Sequence, residues 1–483
     1  MKKMIVHEII YQISSRLPFT PVPVQQRAIE MFAAFLTCGN ARSVMVLRGS
    51  AGSGKTSIAG AIVKTLTGLK QKVVLLAPTG RAAKVFGLYS GANAYTIHRR
   101  IYRQKAFTGQ MQGFLLNDNL YKDTLFIVDE ASMVPGGEGG GEAAFGSGSL
   151  LDDLVQYVYR GEGCRLMFIG DGAQLPPVGE EESPALSGRV LSGYGLEVFE
   201  AELTEVLRQG QDSGILANAT TVRRMMASGD VWELPKVCFN GFSDIANVPG
   251  GELVDTLAES YANEGQDETI VVTRSNKRAT IYNNGIRNQI LDREELLSSG
   301  DRLMVVKNNY YWTAQQQHAP IAFIANGDRV VVERVRHERE LYGLHFADVW
   351  LRFPDYNDYE LQATVCLDSL QTVAPALTAE QNNKLFEGVM EDYADLPTKA
   401  ERMKRIKNDP YYNAIQVKYA YAVTCHKAQG GQWRHVYVDQ GYMTEDMLSP
   451  DYLHWLYTAF TRATEKLYLV NWPKEQTTEQ INI

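Results

Sequence analysis

The feature that most constrains this chain is a series of short, almost wholly apolar runs, Ser43–Leu47, Lys72–Ala77, Leu125–Val128 and Arg165–Ile169, each separated from the next by a turn or a helical pattern. A strand with one wet face alternates apolar and polar residues. Runs this short that do not alternate belong to strands covered on both faces, as in a parallel sheet flanked by helices. After residue 201 a second series follows, Thr269–Thr273, His435–Asp439 and Lys466–Val470, with helical patterns over Asp212–Ala227 and Leu253–Asn263. The expected fold class is therefore α/β, built as two units. Between about 300 and 415 the character changes to aromatic and β-branched pieces, Arg302–Lys307 and Arg329–Arg336, followed by a charged helical stretch at Ala379–Lys407. This predicts a small β-barrel inserted in the second unit. Gly136–Ser149, with seven glycines in fourteen residues, reads as a loop.

Composition narrows the class. The chain has 483 residues, 45% of them hydrophobic, enough for several cores. No stretch of about 18 apolar residues exists, so no membrane span is expected. His7 and Glu8 break the apolar stretch behind Met1-Lys2-Lys3 before a signal sequence can form, which predicts a cytoplasmic protein. Five scattered cysteines without a C-x-x-C pair fit a reducing compartment and argue against a zinc finger. The formal net charge of −8 hides a strong asymmetry: from Met31 to Asn117 there is no Asp or Glu, while that segment carries twelve Lys and Arg. Such a block is an electrostatic footprint for a polyanion.

Motifs give the footprint a chemistry. Gly49-Ser-Ala-Gly-Ser-Gly54-Lys55-Thr56 fits G-x-x-x-x-G-K-[ST] between a predicted strand and a helix expected over Ser57–Leu66. In such a loop, backbone amides wrap phosphates, Lys55 reaches the β and γ oxygens, and the Thr56 hydroxyl holds Mg²⁺. The strand Leu125–Val128 ends in Asp129-Glu130, which supplies one carboxylate for the metal and one to orient and deprotonate water. Gly170-Asp171-x-x-Gln174-Leu-Pro-Pro177 follows the next strand and projects a glutamine suited to sensing the γ-phosphate. Arg208 and Arg462, near the two ends of the second unit, complete the charge stabilisation that phosphoryl transfer requires. Thr79 and Thr424 end one predicted strand in each unit and give two hydroxyl grips on a phosphate backbone. Lys427 reads as a contact to nucleotide or strand, and His98 and His426 equally as core residues or strand contacts.

These blocks run from Gln25 to Arg462 in the order found in superfamily 1 helicases, and the chain resembles the 5′-to-3′ branch that includes RecD-like and Dda-like enzymes. The resemblance implies two RecA-like motor domains, one at 1–98 and 121–200 and the other at 201–300 and 416–475. It further implies a hairpin or pin subdomain at 99–120 and an SH3-like insertion at 301–415, entered through Phe323–Val331. It makes Gln25 an adenine reader and assigns nucleotide binding to Gly49, Gly52, Ser53, Gly54, Lys55, Thr56 and Ser57, with Mg²⁺ on Thr56 and Asp129. Catalysis falls to Lys55, Asp129, Glu130, Gln174, Arg208 and Arg462. Single-stranded DNA is expected along Pro78, Thr79, Arg81, Thr96, His98, Thr424, His426 and Lys427, and either Phe107 or Phe114 is a duplex-splitting wedge or a packing residue. The implied protein is a monomeric ATP-dependent DNA helicase acting on single strands and duplex junctions, with no membrane partner. Alternatives are an RNA helicase, or a translocase or timed loading ATPase that does not unwind.

Overall fold

The computed structural model describes residues 2–104, 114–137, 146–204, 213–229, 233–316, 319–321 and 323–479. Its first unit is a six-stranded parallel sheet in the order Ala94–Thr96, Lys72–Ala77, Thr124–Val128, Arg165–Gly170, Ser43–Gly49, Glu197–Leu203. Alternate residues of each strand enter different cores. Val44, Val46, Phe126, Val128, Leu166 and Phe168 pack with the Leu150–Arg160 helix, while Met45, Leu47, Leu125, Ile127, Met167 and Ile169 pack with the helices Pro23–Thr37 and Lys55–Gly68. Helices on both faces are why the strands read as continuous apolar runs.

The second sheet is also parallel, in the order Ile245–Val248, Ala463–Val470, Trp433–Asp439, Thr269–Thr273, Ala422–Thr424. Two expected boundaries shift. Glu197–Leu203 pairs with Ser43–Gly49 along its whole length, so the first unit extends past residue 200. Ile415–Tyr419 belongs to the barrel rather than to the second sheet, because it pairs with both Arg302–Val305 and Tyr359–Cys366 and closes the cylinder. The remaining barrel strands are Arg329–Leu341 and Leu344–Phe353. Gly327, at φ 95°, makes the turn into the first of these, and the Asp328 carboxylate accepts from Ala325 N at 2.7 Å. The charged stretch after Leu377 forms two helices, Ala379–Asp392 and Lys399–Ile406, separated at Pro397. Thr378 and Thr398 cap them, each accepting a backbone amide at 3.2 Å.

In the first unit, Tyr102–Gln104 and Phe114–Leu116 pair as an antiparallel hairpin. Phe107, the Phe114 side chain and residues 138–145 of the glycine-rich segment lie outside the described residues. Among those described, no helix is long and apolar enough to cross a membrane.

A buried charge cluster joins the second sheet to the barrel. The fully buried Asp301 accepts from Arg287 Nε and Nη2, both at 3.0 Å, from Arg293 Nη1 at 2.7 Å, from Ser298 N at 2.7 Å and from Tyr421 Oη at 2.9 Å. Asp301→Ala leaves two arginines facing each other in the interior. It is expected to destabilise the chain by about 3–5 kcal/mol, read from the denaturant midpoint.

Candidate active site between the two sheets

Parallel pairing brings the ends of the strands to one edge of the first sheet, Arg48 beside Gly170 and Leu76 beside Val128. The phosphate-loop motif starts at that edge. A Cβ on Gly49 would stand 2.6 Å from Ser53 Oγ and 2.9 Å from Leu203 Cβ, so only glycine fits. Gly52 and Gly54 have φ of 75° and 89°, the left-handed conformation that turns the chain into the helix Lys55–Gly68. Lys55 Nζ donates to Gly49 O at 2.6 Å and Ser50 O at 2.8 Å, and Ser53 Oγ donates to Ser50 O at 2.8 Å. The Ser50 hydroxyl is buried with no hydrogen-bond partner among the described residues. A helix N-terminus, a lysine and an unpartnered hydroxyl fit a polyphosphate. Thr56 is exposed on the helix's first turn, with Ser57 beside it. Gln25 is buried, donating to Ser53 O at 3.0 Å and accepting from Val22 N at 3.2 Å. The residue expected to read adenine therefore also braces the loop, retaining one N–H and one lone pair.

Asp129 and Glu130 leave the neighbouring strand. Asp129 accepts from Glu130 N at 2.9 Å and from the Tyr89 hydroxyl. Burial pushes its carboxyl above the ordinary range, against the pull of these two donors and of Lys55. Glu130 has φ 52°, a strained conformation for a side chain of its size. Burial raises its pKa, Arg462 and Lys55 pull it down, and Asp129 and Asp171 push it up. A carboxylate raised in this way is a stronger base, and cations beside it keep it ionised. The donor set, a carboxylate at a strand end and a hydroxyl on the first turn of the helix Lys55–Gly68, suits Mg²⁺.

The helix Pro450–Phe460 of the second unit carries the opposite wall. Arg462, just beyond it and only 2% exposed, donates to Thr458 O and Gly431 O, both at 3.0 Å, and faces Glu130. Leu175 is held from both sides, its amide donating to Thr458 Oγ1 at 2.8 Å and its carbonyl accepting from Gln429 Nε2 at 2.6 Å. Next to it, Gln174 has a buried Oε1 with no partner among the described residues. Arg208 lies outside the described residues. Gln429 and Tyr457 lie within motifs already noted, around Thr424 and Arg462, whereas no motif marks Tyr89 or Arg223. The last sits on the helix Gly214–Ser228 without a motif around it and donates to Asp171 at 3.0 Å and Glu202 at 3.1 Å.

The expected strand contacts divide. The Thr79 hydroxyl oxygen accepts from Ala82 N at 3.2 Å as a helix cap, and Thr96 does the same for Arg99 N at 3.3 Å, which leaves each O–H as a donor. Pro78 sits half-buried ahead of Thr79. Thr424 ends its strand without a side-chain cap bond. A Cβ on Gly430 would lie 3.1 Å from Thr79 Oγ1, so these motifs of the two units touch. Arg81 departs from expectation: its guanidinium donates to Gln432 O and stacks on Trp433 at 4.4 Å, an inter-unit contact rather than an open phosphate site. His98 packs near the rings of Tyr102 and Phe323, and burial lowers its pKa to about 4, so it brings no charge to a phosphate at neutral pH. His426 is also lowered by desolvation. Lys427 donates to Asn326 Oδ1 of the barrel, and desolvation lowers its pKa to about 8.

Two parallel sheets meeting over a phosphate loop, with an arginine of one facing the acidic pair of the other, define a two-unit P-loop nucleoside triphosphatase. Comparison with known proteins agrees. The family model described as an AAA domain matches residues 23–232, and that of the UvrD-like helicase C-terminal domain matches residues 419–470. An uncharacterized protein of Acanthamoeba polyphaga mimivirus is 23% identical over 89% of this chain and 95% of its own. The ATP-dependent RecD2 DNA helicase of Deinococcus radiodurans is 32% identical over 36% of this chain, and the ATP-dependent DNA helicase Dda of Enterobacteria phage T4 is 24% identical over 61%. These matches span 21% of RecD2 and 63% of Dda. By its two domain matches and by these relatives, the chain is similar to the superfamily 1 helicases of the RecD and Dda type, enzymes named as ATP-dependent.

Gly49→Ala tests the loop's packing directly. The added methyl is expected to cost about 1–3 kcal/mol, seen as a lower denaturant midpoint, and to weaken binding of a fluorescent ATP analogue.

Proposed function

We propose that this protein is an ATP-dependent DNA helicase that moves 5′ to 3′ along a single strand and separates duplex DNA. The observation that carries the reading is the cleft itself, in which Lys55, Asp129 and Glu130 of the first unit face Arg462 of the second beside the contact of Thr79 with Gly430. Nucleotide-driven closure changes both grips at once, and alternate release turns closure into a step. Mg²⁺ would be held by Thr56 and Asp129 and would neutralise charge on the phosphates. Lys55 clamps the phosphate chain, Glu130 takes the proton of the attacking water, Gln174 senses the γ-phosphate, and Arg462, with Arg208 by resemblance, stabilises the transferring group. DNA rather than RNA is supported by likeness to two enzymes named as DNA helicases, and the direction by the resemblance of the motifs to the 5′-to-3′ branch. The acid-free segment Met31–Asn117 supplies the positive surface a strand requires. All five cysteines are free, in keeping with a cytoplasmic setting.

On three duplexes, with a 5′ tail, a 3′ tail and blunt ends, unwinding is expected only from the 5′ tail and only with ATP. Stimulated hydrolysis without strand separation on any of them would instead identify a translocase or timed binder, and make RNA the next substrate. Lys55→Ala is expected to lower turnover by about 100-fold or more, since it removes a charge-stabilising donor. Glu130→Gln is expected to keep ATP and DNA binding, measured by fluorescence anisotropy, while hydrolysis falls about 100-fold or more. Loss of ATP binding in that variant would remove Glu130 from the role of base.

A further inference from the structure

One hydroxyl of the second unit reaches both sides of the nucleotide cleft. Tyr457, 1% exposed on the helix Pro450–Phe460, places its Oη 3.0 Å from the phosphate-loop amide of Ala51 and 2.5 Å from Asp171 Oδ2. The directions of these bonds are fixed by valence. A phenol has one hydrogen and the carboxylate can only accept, so Tyr457 donates to Asp171 and accepts from Ala51 N–H. The other oxygen of Asp171, itself fully buried, accepts from Arg223 Nη1 at 3.0 Å and Ala173 N at 3.1 Å. Two side chains of the second unit thus converge on one carboxylate of the first, and one of them also holds the phosphate loop. The negative charge on Asp171 polarises the phenol and strengthens its acceptance of the loop amide. Five residues further on, Arg462 is tied to the same helix end through Thr458 O.

We propose that Tyr457 is a positioning residue for ATP hydrolysis: by binding Ala51 and Asp171 together, it sets the register of the phosphate loop and Glu130 against Arg462 when the two units close. The inference rests on the hydrolytic reading of this cleft. The residue acts through others and touches no reacting atom. Replacing it with alanine would open a buried cavity and confuse packing with positioning, whereas Tyr457→Phe removes one oxygen and keeps the ring.

A purely structural hydroxyl and a positioning one differ in where their loss is felt. Lost packing lowers the melting temperature and loosens the cleft for ATP as well, whereas lost positioning slows the turnover of bound ATP in a chain that melts like the wild type. Asp171→Asn keeps the shape of the side chain but weakens its hold on Tyr457 and Arg223, so it should reproduce the effect of Tyr457→Phe, and because the two groups act as one unit the double variant should be little slower than the slower single one.

The experiment is steady-state ATP hydrolysis by the full chain on single-stranded DNA with Mg²⁺ for the wild type, Tyr457→Phe, Asp171→Asn and the double variant, with thermal melts of all four. The expected result is a fall in kcat of about tenfold or more for Tyr457→Phe, with KM for ATP and the melting temperature changing little, and no further large loss in the double variant. Wild-type kcat in Tyr457→Phe would overturn the proposal. So would a slower variant that is also less stable and has a raised KM, or losses that multiply in the double variant, because those are the signatures of packing alone and of independent action. A wild-type chain inert toward ATP would overturn the hydrolytic reading, and this inference with it, a result distinct from either failure within an active enzyme.

Discussion

Parallel pairing is the constraint on which the cleft depends. In a parallel sheet every strand leaves at the same edge, so the turns after Gly49, Ala77, Val128 and Gly170 collect there without further design. The same rule in the second sheet collects the turns after Thr273, Thr424 and Asp439. Facing the two edges toward each other then gives a site in which neither unit is complete. The first supplies the phosphate loop and the acidic pair, and the second supplies Arg462, Tyr457 and Arg223.

Electrostatics follows from the same arrangement. Asp129, Glu130 and Asp171 are crowded against one another in a low-dielectric setting, and burial pushes the first two toward their neutral forms. Lys55 and Arg462 oppose that tendency, the second from across the cleft. The basicity of Glu130 is thereby tied to the approach of the second unit. Within the acid-free segment Arg48 and Arg103 reach carboxylates outside it, Glu200 at 2.6 Å and Asp118 at 3.5 Å, while Arg100 and Arg81 lie over rings, Arg100 on Tyr95 at 4.1 Å and Arg81 on Trp433 at 4.4 Å. Ring faces leave the positive charge uncompensated, so the segment keeps its field toward a polyanion.

What the sequence made legible is what short-range physics determines. Continuous apolar runs located the buried strands, and the Gly-Lys-Thr spacing located the phosphate loop, because each needs only its own neighbours. Ile245–Val248 went unseen because Ala246 and Asn247 interrupt its apolar character at the edge of the sheet. Ile415–Tyr419 reads like any sheet strand, and only its two partners make it part of a barrel. Arg81 has the composition of a phosphate contact, yet its stacking partner is 352 positions away in the chain, at Trp433. Tyr89 and Arg223 act through carboxylates in distant segments, and nothing in their own sequence context marks them.

The inserted barrel shows how far such long-range placement reaches. Its interior, around Val332, Val349 and Leu351, is continuous with the second sheet through Val271, Tyr437 and Tyr468. Yet Phe323, on the loop entering it, packs among Ile97, Ile101 and Tyr102 of the first unit. The barrel is therefore rooted in one α/β unit by its core and in the other by an aromatic anchor, Phe323 with Tyr310 packed beside it at 5.1 Å. Polar contacts border this anchor: Lys84 of the first unit donates to Pro354 O at 2.8 Å, and Lys427 of the second donates to Asn326. Hydrogen bonds exchange partners with water at little net free energy, whereas withdrawing a buried ring exposes apolar area. Relative motion of the two units would therefore exchange the polar contacts at lower cost than it would withdraw the buried ring of Phe323.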